Sequence, residues 1–302
     1  EAHLARGNSL FVLGELIPAL DHFERAVTIY DPRMHHSHAF LYGLDPGVFC
    51  LVRIGWGLTL RGYPDRGLRK AGEAIALAQQ QAHHFSLAVA LNHASTEHHL
   101  RRDWPAMQRQ AEAAIALCTE QGFEGILAQA TAHRGIALAW QGQTQEGIAL
   151  IQRGLAASGA TGAALFRPNF LSYLAESYLT AKRFEEGLTA VAKGIAIAEE
   201  TGERLYEARL LRLKGELLLA QDWSNATAAE QCLRDAIEAS GRQGTKLLQL
   251  RATTSLARLL AKQGNRDDAR EMLAEIYNWF TEGFDTADLK EAEALLDELS
   301  AA

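Results

Sequence analysis

The sequence is poor in cysteine, proline and methionine, and it has no long apolar run. Three cysteines in 302 residues (Cys50, Cys118, Cys232) are too few and too scattered for a disulfide framework or a four-cysteine metal site. No stretch approaches the roughly 18 consecutive apolar residues of a membrane span, and the N-terminus lacks a signal-peptide layout. Positive charge is not in excess either: 30 Lys and Arg face 37 Asp and Glu, for a net charge of −7. That balance argues against a general nucleic-acid binder. Catalytic motifs are missing as well. There is no Gly-x-x-x-x-Gly-Lys-Ser/Thr phosphate loop, and Gly159-Ala160-Thr161-Gly162 reads as a turn with no lysine after it. Neither a Gly-x-Ser-x-Gly elbow nor a His-Glu-x-x-His pair occurs. These absences predict a chain that is not an enzyme and has no cofactor. What is present is 48% apolar residues, ample for a buried core. The expectation is a soluble, cytoplasmic, globular chain. It opens at Glu1 without methionine and is in helical pattern by Leu4, which predicts a piece of a longer protein.

An internal repeat carries the fold prediction. Turn tripeptides recur at Leu13-Gly14-Glu15, Arg61-Gly62-Tyr63, Arg102-Asp103-Trp104, Gln141-Gly142-Gln143, Lys182-Arg183-Phe184 and Gln263-Gly264-Asn265. A small or apolar residue follows each in register: Ala26, Ala74, Ala114, Gly154, Gly194 and Ile276, with Ala236 in the one unit whose turn is irregular. Successive spacings are 48, 40, 40, 40, 42 and 40. Within a unit, Ala132, Gly135, Leu138 and Ala139, then Ile148, Ile151 and Leu155, fall three or four residues apart and so share one helical face. Glycine in the turn suits the left-handed position that ends a helix. Pro18, Pro64 and Pro105 lie near the start of second helices, where a missing N–H costs nothing. No segment alternates with period two, so strands are not expected.

Small residues recur mid-first-helix (Gly7, Gly55, Ser95, Gly135, Ala175, Gly215, Ala257) and at the start of the second (Ala19, Gly67, Gly147, Gly187, Ala229, Ala269, with Met107 the exception). Glycine costs about 1 kcal/mol against alanine inside a helix, so its repetition points to close helix approach. With Phe23 and Ala26 after Ala19, this pattern resembles the tetratricopeptide repeat, although the period is near 40 rather than 34. The fold class expected is all-α: a right-handed solenoid of seven helical hairpins over 1–31, 47–82, 86–121, 126–159, 168–201, 206–242 and 247–283, with a capping helix at 286–299. Residues 285–299 carry six acids and one lysine, the polar outer face that a terminal cap needs. Two departures stand out: eight extra residues within 31–47, and two extra near Gln221-Asp222-Trp223-Ser224-Asn225.

Several stretches go beyond a generic repeat: Tyr42-Gly43-Leu44-Asp45-Pro46-Gly47-Val48, His84-Phe85-Ser86-Leu87-Ala88, Glu120-Gln121-Gly122-Phe123, Thr201-Gly202-Glu203-Arg204-Leu205-Tyr206-Glu207-Ala208 and Arg212-Leu213-Lys214-Gly215-Glu216-Leu217-Leu218. Together they resemble the C-terminal repeat region of large bacterial signalling proteins. In those, an adenylate/guanylate cyclase domain or a protein kinase precedes a STAND-type ATPase and then such an array. The resemblance implies a non-catalytic interaction or sensing module that regulates the attached ATPase or cyclase. A structural oligomerisation scaffold with an empty groove is the alternative. A metal- or thiol-dependent enzyme is a third reading.

The tetratricopeptide resemblance also implies a concave groove lined by first helices. Its slots give Trp56, Asn92, His99, Gln129, Asn169, Glu176, Arg209, Arg212, Glu216, Arg251 and Arg258 as candidate binding residues. The track runs from apolar to arginine-rich, and arginine forks suit carboxylates. The partner expected there is a protein or peptide segment, acidic at one end, or a small effector. A second copy of the chain is a further possible partner. The chain's own acidic tail is a candidate competitor, and the opposing reading is a salt-bridged surface with Glu207 and Glu216 as partners. Eight of the eleven histidines cluster, at His35, His36 and His38 and around the third unit at His83, His84, His93, His98 and His99. They lack the convergent spacing of zinc ligands, so no metal is predicted.

Overall fold

A computed structural model describes residues 1–160 and 165–301, apart from the side chains of His36, Gly159 and Ala160. Its described residues are all-helical, with helices in consecutive antiparallel pairs. In chain order these are α1 (Ala2–Val12), α2 (Leu16–Ile29), α3 (Pro32–Tyr42), α4 (Pro46–Leu60), α5 (Pro64–Gln80), α6 (His84–Arg101), α7 (Trp104–Gln121), α8 (Glu124–Trp140) and α9 (Thr144–Ala160). They continue as α10 (Arg167–Thr180), α11 (Phe184–Thr201), α12 (Glu207–Gln221), α13 (Ala226–Gln243), α14 (Lys246–Lys262), α15 (Arg266–Tyr277) and α16 (Ala287–Ser300). The chain divides into two compact units, one of residues 1–59 and 64–165, the other of 60–63 and 166–302. In the first, α6 packs against α8 as well as against its own partner α7. In the second, α10, α12, α14 and α16 pack on one another in series, while α11, α13 and α15 back them.

The turns follow from backbone chemistry. Gly14, Gly62, Gly142 and Gly264 sit at φ of +81°, +92°, +93° and +93° after first helices. The glycine-less turns use the same left-handed conformation with Arg102 at φ +59° and Lys182 at φ +58°. A side chain there is strained by about 1–2 kcal/mol. Lys182→Gly is therefore expected to raise stability by up to about 1 kcal/mol, once glycine's larger unfolded-state entropy is subtracted. Urea unfolding of the variant checks this, and a destabilised variant would contradict it.

Small residues do mark close approach, and between α8 and α9 it is backbone that stands in the way. A Cβ on Gly135 would lie 2.6 Å from the Gly147 carbonyl oxygen and 2.9 Å from the Ile151 nitrogen. One on Gly147 would collide with the Gly135 carbonyl oxygen, and one on Gly154 would lie 2.5 Å from that of Ala128. Backbone cannot step aside. At Gly187 the nearest atom is instead Leu217 Cδ2, 2.6 Å away at the end of a flexible side chain. Gly135→Ala is thus expected to cost roughly 1–3 kcal/mol or more, and Gly187→Ala distinctly less. Equal shifts in thermal unfolding would remove the backbone argument.

The two departures in spacing have separate causes. The extra residues of the first form helix α3, begun by Asp31, whose carboxylate accepts from the Arg33 N–H at 2.8 Å, and ended by Gly43 at φ +77°. Those of the second form a 3-10 turn, Trp223–Asn225, capped by Asp222 on the Ser224 N–H at 2.8 Å. Of the turn expected at 159–162, α9 runs through Ala160, while Thr161 and Gly162 lie outside the described residues.

Candidate functional site: the polar face of the first helices

In the first unit, the face shared by α4, α6 and α8 starts apolar and becomes polar. Trp56 is buried, meeting the Phe11 ring at 5.3 Å and the His93 ring at 5.6 Å, with the Arg53 guanidinium 5.5 Å from its centroid. Arg53 also lies 5.2 Å from the Phe11 ring and 4.9 Å from that of Phe49. Asn92 is buried one repeat away from two partners on α8: its amide donates to Gln129 Oε1 at 2.9 Å, and its Oδ1 lies 3.0 Å from His133 Nδ1. That contact places a proton on Nδ1 of a neutral imidazole, and burial depresses the His133 pKa to about 3. His99 is buried edge-on to Trp104 at 5.6 Å. Glu97 lies on the same helix, 2% exposed, and accepts from the Thr59 hydroxyl at 2.6 Å. Burial pushes its carboxyl up to about 7, against the opposing pull of Thr59 and Arg101.

In the second unit, the polar face forms one continuous ladder from α10 to α16. Asn169 donates to the Tyr173 hydroxyl at 3.1 Å and accepts from Arg209 Nη1 at 3.1 Å. The Arg209 guanidinium also sits 4.7 Å from the Tyr173 ring centroid. Glu176 faces both Arg209, at 3.7 Å, and Arg212, at 3.4 Å. Arg212 donates to Glu216 at 2.7 Å, and Glu216 accepts in turn from Ser255 Oγ at 2.5 Å. Although burial works against its charge, Arg212 is held above its ordinary pKa by Glu216 and Glu176. Arg251 places both Nε, at 3.0 Å, and Nη2, at 2.7 Å, on Asp288 of α16. Arg258, exposed, pairs with Glu291 at 2.6 Å.

Of the eleven candidates, seven are buried, Gln129, Glu176 and Glu216 are half-buried, and Arg258 alone is exposed. Every one of the four arginines has a carboxylate within 4 Å in its own chain. The ladder is charge-matched: Arg209, Arg212 and Arg251 against Glu176, Glu216 and Asp288. Two of the four arginines are held by the acidic helix α16 itself. Glu207 partners none of these four arginines; it lies near Arg204 and Arg242, each at 3.9 Å. Sequence reasoning missed Glu97, His133, Tyr173 and Ser255, and it had Asp288 only as part of the acidic tail proposed as a competitor for the arginines. A signal existed for some of them, because partners recur about one repeat apart: Asn169 to Arg209, Glu216 to Ser255 and Arg251 to Asp288 are separated by 40, 39 and 37 residues.

Among the described residues, no group of three or more His, Cys, Asp or Glu side chains is placed to hold a metal ion. His35 accepts from the Asp31 N–H at 2.9 Å, and His38 lies 3.2 Å from Glu1; the His36 side chain is outside the described residues. His83 caps α6, 3.3 Å from the Ser86 N–H. All three cysteines are buried, which pushes the Cys50 thiol up to about 12 and that of Cys118 to about 11. No described helix is long and apolar enough to cross a membrane.

No protein-family model and no curated protein sequence matches the chain. Solved structures do. The apo form of RapI is similar with a TM-score of 0.57 at 13% identity, over 98% of each chain. A Rap protein complexed with Competence and Sporulation Factor gives 0.62 at 10% identity, over 98% of this chain and 84% of that one. Aspartyl phosphate phosphatase F from Bacillus subtilis gives 0.55 at 11%, over 95% and 70%. At such identities the likeness is one of fold: a tetratricopeptide-like helical repeat.

Proposed function

We propose that the chain is a non-catalytic binding and sensing module. It takes a protein or peptide segment, or a small effector, along the polar face of its first helices, and passes occupancy to an attached signalling ATPase or cyclase. The observation that carries this reading is the ladder itself. Apolar packing alone would suffice to stack repeats, yet in the second unit α10, α12 and α14 each also reach the next first helix with side chains able to re-pair. Buried ion pairs add little stability compared with apolar isosteres, so their presence needs another reason. A helical repeat of the Rap kind supports it, since a Rap protein has been crystallised with Competence and Sporulation Factor. Because the arginines are already charge-matched, a bound carboxylate must displace Glu176, Glu216 or an α16 acid.

The test is selection of a random-peptide library on the purified chain, followed by titration of the enriched peptides at two salt concentrations. Affinity should fall in Arg212→Ala and, for acidic peptides, with rising salt, because the attraction that draws a peptide in from solvent is screened beyond about 8–10 Å. Failure to enrich any peptide, or equal affinity in wild type and variant, would reject the groove as the site.

A further inference from the structure

Arg212, in the middle of the ladder, has an unused donor. Its side chain is buried, 8% exposed, yet Nε meets no acceptor among the described residues. Nη1 donates to Glu216 Oε1 at 2.7 Å, while Nη2 has only the 3.4 Å contact with Glu176 Oε1. That is well outside the about 2.7–2.9 Å of a charge-assisted hydrogen bond. Nε and Nη2 together form the edge of a guanidinium that takes a carboxylate side-on. A buried donor without an acceptor costs free energy, so the gap points to a group that the chain does not supply.

The neighbouring acid is open in the complementary sense. Both hydrogen bonds of Glu216, from Arg212 Nη1 and Ser255 Oγ, end on Oε1. Its side chain is 22% accessible, which leaves Oε2 to receive a donor from solvent. The unmet donor and the open acceptor thus belong to two side chains one helical turn apart on α12 and already in contact.

Charge selects the ligand. Glu176 and Glu216 balance Arg209 and Arg212. A lone carboxylate on the Arg212 edge pushes Glu176 off its cation and leaves that acid unpaired. It does so where acids are already in excess, since 17 Lys and Arg face 23 Asp and Glu over residues 166–302. A lone cation on Glu216 approaches the Arg212 charge and leaves Nε unmet. A zwitterion avoids both costs, because it adds no net charge and each of its ends meets an opposite partner.

We propose that Arg212 and Glu216 bind a free α-amino acid. Its carboxylate takes the Nε/Nη2 edge of Arg212, and its ammonium donates to Glu216 Oε2 and to the displaced Glu176. The two protein groups are in contact, so the ligand must carry its two charges close together, as on a single carbon. The inference rests on the groove reading and narrows its effector to one chemical class.

Thermal unfolding of the purified chain with each common α-amino acid at about 10 mM, enough to register millimolar binding, is the first test. Calorimetric titration then follows those that raise the melting temperature. At least one should do so, and its N-acetyl and carboxamide derivatives, each keeping one charge, should bind at least about tenfold more weakly. Affinity should barely change with salt, because the ligand has no net charge to screen. Arg212→Lys, which keeps the charge but not the fork, and Glu216→Gln, at a half-buried position, should each lose at least about tenfold in affinity. The derivatives and Glu216→Gln decide the matter even if Arg212→Lys does not fold. No response to any amino acid would overturn the proposal, as would a derivative or Glu216→Gln that binds like the parent. Peptides that bind through Arg212 while no amino acid does would overturn it and leave the groove reading standing; failure of both would remove the groove as well.

Discussion

Asp288→Ala is expected to lower the stability of the second unit by roughly 3–5 kcal/mol, the usual cost of removing one partner from a buried ion pair. Arg251 is 8% exposed and Asp288 5%, and both guanidinium bonds converge on one carboxylate oxygen. Without Asp288, a desolvated cation loses its counter-charge. Replacing both partners by apolar residues, Arg251→Met with Asp288→Leu, should restore most of the loss, because neither member of the pair is then left buried without the other. Glu291→Ala serves as the contrast. Its ion pair with Arg258 is exposed, with side chains 48% and 37% accessible. Such pairs contribute about 0–1 kcal/mol. Urea unfolding of the three variants decides the matter. A loss below about 1 kcal/mol for Asp288→Ala would mean that Arg251 re-pairs locally, and that the ladder is far more plastic than its geometry implies.

The second large effect concerns pH. Glu97 has a folded-state pKa near 7, against 4.5 in the unfolded chain, because burial disfavours its charge. The native state therefore holds its proton through a range in which the unfolded state has lost it. The stabilising contribution is fully present below about pH 4.5 and is lost as pH rises through 7. At about 1.4 kcal/mol per pKa unit, the loss amounts to about 3 kcal/mol. Glu97→Gln keeps the shape and removes the titration. It should match the wild type near pH 4.5 and exceed it by about 3 kcal/mol at pH 8. Measuring the difference between the two proteins cancels the histidines, among which His133, buried and depressed to about 3, pulls the other way below pH 6.5. A pH-independent difference would show that Glu97 is ionised throughout.

A packing argument underlies what could be foreseen in the groove and what could not. The first-helix slots contain both members of the pairs Asn92–Gln129, Asn169–Arg209 and Glu176–Arg212, which the structure brings together because residues one repeat apart face each other on stacked helices. The same periodicity would have brought in Asp288, had the acidic terminal segment been read as an eighth first helix rather than as a cap with a solvated face. Glu97 escaped for a different reason. It lies on α6 between the Asn92 and His99 slots, and only the crossing of α4 and α6 turns it toward Thr59 instead of water.

By itself, the sequence determined the helices, their pairing and their turns, because these depend on short-range chemistry. Apolar residues three and four apart define a helical face, glycine tolerates the left-handed φ at positions 14, 62, 142 and 264, and a period of about 40 repeats the hairpin. Only the tertiary structure decided that the groove arginines are already paired, that Glu97 is buried enough to hold a proton near neutrality, and that the extra residues after Tyr30 form a helix with an open apolar face. Those properties depend on distances between side chains that are dozens of residues apart, and on how much water remains around them. Charge–charge and desolvation energies vary steeply with both, and neither quantity is written in the spacing of residues along a chain.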